Sequence, residues 1–164
     1  MAYFQELNTA TNVILDRIFS SQDLCKLLYY NSPNPLSQAN ISDTSSLLMN
    51  NVYPLPKMPD AEKDKKGILN MYFYSAKPFS RNSGFKHTYL CFDIMCHLDI
   101  WMINTGVRPY SISNEIDVLF NDQYIKDLSL RNVYWNEWSV KNYSDYYSGY
   151  HLVYALSQDN NLGC

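Results

Sequence analysis

Residues 87–101 read HTYLCFDIMCHLDIW, and their period decides the fold class. Leu90, Phe92, Ile94, Cys96, Leu98 and Ile100 fall on alternate positions, with Tyr89, Cys91, Asp93, Met95, His97, Asp99 and Trp101 between them. Because a strand sends successive side chains to opposite faces, this spacing predicts one long strand with a core face and a half-polar face. That pattern belongs to an antiparallel sheet covered on one side only. Just upstream, residues 67–74, GILNMYFY, alternate Leu69, Met71 and Phe73 with Asn70, Tyr72 and Tyr74 and predict a second strand. Between the two, KPFSRNSGFK (77–86) reads as a basic loop, with Lys77, Arg81 and Lys86 and no acid.

Working outward, Asn104-Thr-Gly106 breaks the strand, and Pro109 suits the start of a helix that carries Ile112, Ile116, Leu119 and Phe120 on one side. This predicts helix from about 109 to 121, stopped at Asn121-Asp122. Leu128, Leu130 and Trp135 suggest a further strand, NYSDYYSG (142–149) is turn-like, and GYHLVYALS (149–157) alternates again, so two late strands are expected to close the sheet. At the other end, Leu7, Thr11, Ile14, Leu15 and Ile18 predict an amphipathic helix over 3–19. A second, short helix to Tyr30 is expected behind a cap at Ser20 and the acidic Asp23. Two prolines make NSPNPLSQ an extended connection, and Ser42 or Asp43 is placed to cap one or two turns ending at Met49. VYPLPKMP (52–59) and the mixed-charge DAEKDKK after it read as solvated connector.

The expected class is therefore α+β: a mainly antiparallel sheet with N-terminal helices and one helix packed on it. Residues 1–164 are expected to form a single domain, with a helical part (1–50), a connector (51–66), the sheet core (67–157) and a tail (158–164). A chain of 164 residues with 46% apolar and 18% charged residues has the material for one real core. A net charge of −3 supplies no overall field toward phosphate backbones or anionic lipid. No apolar run approaches the roughly 20 residues of a membrane span, and the N-terminus lacks a basic flank followed by a long apolar stretch, so a soluble, non-secreted protein is expected. The four cysteines form no CxxC pair and are expected as thiols; the sequons at Asn40 and Asn142 then carry no meaning.

Chemistry-bearing residues are few. Cys91, Cys96, His97 and Asp99 are all good metal ligands by type, yet on one strand Cys91 and Cys96 project to opposite faces. Cys91 and His97 stand about 20 Å apart. His97 with Asp99 has the parts of an acid–base pair, but i and i+2 side chains on a strand are about 7 Å apart. Nucleophile, phosphate-loop and zinc-protease motifs are absent, which does not exclude an enzyme assembled from distant residues, and the strand geometry argues against a metal here. Tyr143, Tyr146, Tyr147 and Tyr150, near Trp135 and Trp138, read as partner contacts or as ordinary sheet packing. Stacking on single-stranded nucleic acid would need interleaved Lys and Arg, and residues 133–157 offer only Lys141.

LLMNNVYPLPKMP (47–59), TYLCFDIMCHLDIW (88–101), RPYSISNEIDVLFND (108–122) and SGYHLVYALS (148–157) together resemble the tail terminator, or tail-completion, proteins of tailed bacteriophages. That resemblance covers about residues 47–157. It implies an α+β subunit that joins copies of itself in a ring, commonly hexameric, at the head-proximal end of the tail tube. It also implies neck, connector or tail-tube proteins as neighbours, DNA at most passing through the channel, no membrane, no cofactor and no reaction. Residues 21–41 and the Tyr-rich late segment depart from the simplest pattern, which leaves other head–tail connector or stopper proteins as the alternative. A ring needs two different complementary surfaces. The candidates are the Asp93, His97, Asp99 face, the basic 77–86 loop and the segment with Tyr143, Tyr146 and Tyr147. The 77–86 and 136–148 loops are the expected contact arms. A small enzyme using His97 with Asp99 or Asp93, and a nucleic-acid-binding module, are the other classes in play.

Overall fold

The computed structural model describes residues 4–60, 65–79, 82–125 and 130–159, with only the backbone described where these include 76–87, 130–132 and 157–159. Helix α1 (Phe4–Ser20) and helix α2 (Gln22–Tyr29) come first, followed by strand β1 (Val52–Tyr53), strand β2 (Gly67–Phe79) and strand β3 (Asn82–His97). A small hairpin of β4 (Met102–Ile103) and β5 (Gly106–Val107) leads into helix α3 (Arg108–Phe120), and β6 (Leu130–Asn142) and β7 (Tyr147–Asp159) end the chain. Among the described residues five strands form one sheet in the order β1-β2-β3-β7-β6, antiparallel except for the short β1–β2 pair. This is the α+β class that the alternating stretches predict.

All three helices cover one face of the sheet. From α1 come Ala10, Ile14, Leu15 and Ile18, from α2 Leu24, Leu27 and Leu28, and from α3 Ile112, Ile116 and Phe120, all packed on Leu69, Met71, Leu90, Phe92, Ile94, Cys96, Leu152, Tyr154 and Leu156. Each such large side chain stabilises the fold by about 1.5–3 kcal/mol. Phe92 lies at the centre, its ring 5.2 Å from Phe120 and 5.9 Å from Tyr154. Tyr154 also donates its hydroxyl to Asp117 Oδ1 at 3.0 Å, tying β7 to α3.

Arg108 is fully buried at the junction of α2, α3 and the turn after β3. Its guanidinium donates to the carbonyls of Ile100 (2.8 Å), Leu27, Tyr30 and Ser32 (2.7 Å each). Two of these acceptors end α2, where unpaired carbonyls and the negative end of the helix dipole both favour a cation. One side chain thereby satisfies a helix terminus and fastens it to the sheet.

Several expectations need correction. The strand ends at His97 and a 3₁₀ turn occupies Leu98–Ile100, so Leu98 is half exposed rather than core. The basic loop is no loop in its backbone: β2 and β3 run through 77–79 and 82–86 as a paired hairpin. Residues 52 and 53 are not solvated connector, because both are buried and pair in parallel with Leu69 and Asn70. Most of the 136–148 arm is β6, leaving 143–146 as the turn. The cap of α2 is Ser21, accepting from the Leu24 N–H, rather than Ser20. Pro35–Ser37 makes a 3₁₀ turn in place of an extended connection, and the turn behind Asp43 ends at Leu47. Helix α3 at Arg108–Phe120 does agree with the expected range of about 109 to 121, and the two late strands join the sheet with β7 between β3 and β6. The strand expectation at Leu128 falls outside the described residues.

Candidate functional site

The face of the sheet away from the helices carries the polar half of each alternating strand. Register places Asn70, Asp93, His151 and Ser139 side by side in one row across β2, β3, β7 and β6. Asp93 is the hub. His151 Nδ1 lies 2.6 Å from Asp93 Oδ1, Tyr143 donates its hydroxyl to the same oxygen at 3.1 Å, and the Tyr72 hydroxyl also bonds the carboxylate. Burial alone would push the Asp93 carboxyl up, but the bonds from His151, Tyr72 and Tyr143 outweigh it and hold the group below the usual carboxylate range. The same burial and the negative charge of Asp93 push the Tyr72 and Tyr143 hydroxyls up, so both stay protonated donors.

Beside this cluster is a groove of about 490 Å³, with Tyr72, Tyr89 and Cys91 on one side and Glu137, Ser139 and Lys141 of the edge strand on the other. Its wall suits hydrogen-bonding and aromatic partners. Burial raises the Cys91 thiol to about 12, so it is no nucleophile at neutral pH. The order Asp93, His151, Ser139 has the residue types of an acyl-transfer triad. No Ser139–His151 hydrogen bond is formed among the described residues, and strand N–H groups lie in the sheet plane, where they cannot converge on an oxyanion. Among the described residues no three His, Cys, Asp or Glu side chains are grouped to hold a metal ion.

The residues singled out from the sequence do not form one surface. Asp93 belongs to the cluster just described. His97 is buried, its ring 5.3 Å from Tyr147 edge-on and 6.0 Å from the stacked Tyr146. Because the strand turns at that point, the Asp99 N–H reaches His97 Nδ1 at 3.1 Å and the Asp99 carboxylate, paired with Lys65 at the surface, comes within 3.9 Å of the same nitrogen, closer than the about 7 Å of an extended strand. Tyr147 is enclosed with Tyr53, Ile68 and Met95 in a small second core and offers no contact surface; Tyr143 is partly buried against that core, and Tyr146 is exposed. Of the basic residues, Arg81 and the side chains of Lys77 and Lys86 lie outside the described residues. Sequence reasoning missed His151 and Tyr72 as partners of Asp93, and Ser139 as the residue opposite His151. Their alternation marks each as facing away from the core, but only register makes them neighbours.

A third feature is aromatic. On the helix side of the sheet, at the N-terminal end of α3, Tyr110 stacks on Tyr150 at 4.8 Å and Trp138 lies 5.2 Å from the same ring. Trp135, Trp138 and Val140 are exposed along β6.

These features define an α+β protein with its main core on one side of the sheet, a polar aromatic cluster and a small second core on the other, and an aromatic edge strand. Residues 21–156 match the model of the YomW family, and the chain belongs to that family. It is accordingly a phage-associated protein. A comparison with curated proteins finds no match. Among the described residues no helix is long and apolar enough to cross a membrane.

Proposed function

We propose that this chain is a structural protein of a tailed-phage particle: a tail terminator or head–tail neck component whose copies form a ring that caps the tail tube and joins it to the capsid connector. The observation that carries the reading is the unequal burial of the two sheet faces, a large core under the helices and only the small Tyr53, Ile68, Met95, Tyr147 cluster on the other. Three helices bury one face of the sheet, while the other face and the β6 edge keep large aromatic side chains outside that core, as a subunit that grips neighbours requires. Membership of a phage-associated family supports it, as does the resemblance over residues 47–157. Another head–tail connector or stopper role is the nearest alternative.

On this reading the protein has no catalytic role. It assembles in the host cytoplasm, resides in the tail or neck of the virion, and meets DNA only as it passes. Exposed Tyr146 and the basic Lys77, Arg81 and Lys86 are the contact residues it assigns. The test is deletion of the gene, followed by electron microscopy of lysates. Unjoined heads and tail tubes of uncontrolled length, rescued by the wild-type gene but not by reversal of Lys77, Arg81 and Lys86, are the expected result. Normal infectious particles without the protein would overturn the reading.

A further inference from the structure

We propose that β6 pairs edge to edge with β6 of a second copy of this chain, antiparallel about a two-fold axis at Ser139, joining two sheets into one. The last strand of the sheet is β6. Its first part is covered: Val133 bridges Gln123, the Asp122 N–H donates to the Val133 carbonyl at 2.7 Å, and the Trp135 N–H donates to Asn121 Oδ1 at 3.1 Å. From Asn136 to Asn142 no strand pairs with the outer edge among the described residues, and an open edge is a template for another strand.

Backbone parity limits the register. Tyr143 donates its N–H to the Tyr147 carbonyl, so the odd residues 137, 139 and 141 turn their backbone groups toward β7. Trp138, Val140 and Asn142 turn theirs outward. Two-fold pairing can then centre on 138, 139 or 140, and charge selects among them. Only the register centred on Ser139 sets Glu137 opposite Lys141 of the second copy, twice by symmetry. Neither residue has an ion-pair partner within its own chain among the described residues. In this register Trp138 and Val140 of the second copy exchange both backbone hydrogen bonds. Their side chains, 41% and 64% exposed in the single chain, cover each other on the helix side. Asn136, Glu137, Ser139 and Lys141 line the groove next to Asp93 and His151, so pairing also joins the two grooves across the axis.

This inference does not rest on the head–tail reading. An isologous contact closes on itself and builds no ring, which would need a different surface; either can fail without the other. The full chain carrying Cys164→Ser serves as the parent. Light scattering after gel filtration is expected to show a dimer. Adding Ser139→Cys should yield a disulfide-linked dimer on mild oxidation, because opposed residues of such a pair have Cα atoms about 4.5 Å apart. Glu137→Lys or Lys141→Glu alone should raise the dimer dissociation constant about tenfold, and the two together should return it to within about threefold of the parent. Val140→Pro, which removes an outward N–H, should be monomeric with an unchanged circular dichroism spectrum. A monomer at every concentration, with Lys141 simply guarding the edge, would overturn the proposal. So would a dimer that ignores these substitutions, or one in which Ser139→Cys does not cross-link.

Discussion

His151 Nδ1 and Asp93 Oδ1 lie 2.6 Å apart, although 58 positions separate them in the chain, because Asp93 and His151 are direct register partners on β3 and β7. Tyr143, from the turn between β6 and β7, closes the cluster at 3.1 Å from the same oxygen. The contact locks the register of the central strand pair from its open face.

Asp93→Asn is expected to destabilise the protein by about 1–3 kcal/mol at neutral pH, the scale of lost hydrogen bonds to a charged group. The folded carboxyl sits below its ordinary value, so its ionised form contributes stability above the unfolded value near 4, and that contribution is lost as pH falls through the lower, folded value. Urea unfolding of both proteins at pH 7 and pH 3 checks this. The gap between them should narrow in acid, and an equal gap at both pH values would contradict the assignment.

Arg108→Met leaves four carbonyls, two buried and two part-buried, without their donor and is expected to cost at least about 3 kcal/mol. Arg108→Lys should recover only part of this, since an ammonium cannot fork to acceptors spread over three segments. Denaturant midpoints ordered wild type, Lys, Met support the claim; a Lys variant equal to wild type counts against it.

Gly149 and Gly106 should respond differently to alanine. A Cβ at Gly149 would lie 1.7 Å from the Ile94 carbonyl oxygen, so strand must move against strand, at an expected cost of about 3 kcal/mol or more. At Gly106 nothing lies within 4 Å, but φ is +132°, and backbone strain of about 1–3 kcal/mol is the only penalty. Thermal denaturation of the two variants should place Gly149→Ala well below Gly106→Ala.

Cys25, Cys91 and Cys96 are buried, and burial raises each thiol to about 12. Iodoacetamide at pH 8 is expected to leave all three unlabelled in the folded protein and to label them in denaturant, as peptide mapping would show. Rapid native labelling of Cys91 would mean that the groove floor opens.

Period was enough to reveal the α+β class, the three helices and the core face of the central strands, because burial on one side writes alternation into a strand and a 3.6-residue stripe into a helix. Leu90, Phe92, Ile94 and Cys96 are where that alternation puts them. Period failed at Leu98, where the polar-apolar pattern continues but the backbone turns, and at Val52 and Tyr53, whose prolines concealed a short strand buried by parallel pairing.

By itself the sequence determined which residues face the core, since that information is local and repeats along each element. Which polar residues become neighbours was decided only by tertiary structure. Asp93 meets His151, Tyr72 and Tyr143 through the register of separate strands, and Arg108 meets the end of α2 across 76 to 81 positions of chain. Register is set by whole faces packing at once, so no stretch of sequence contains it.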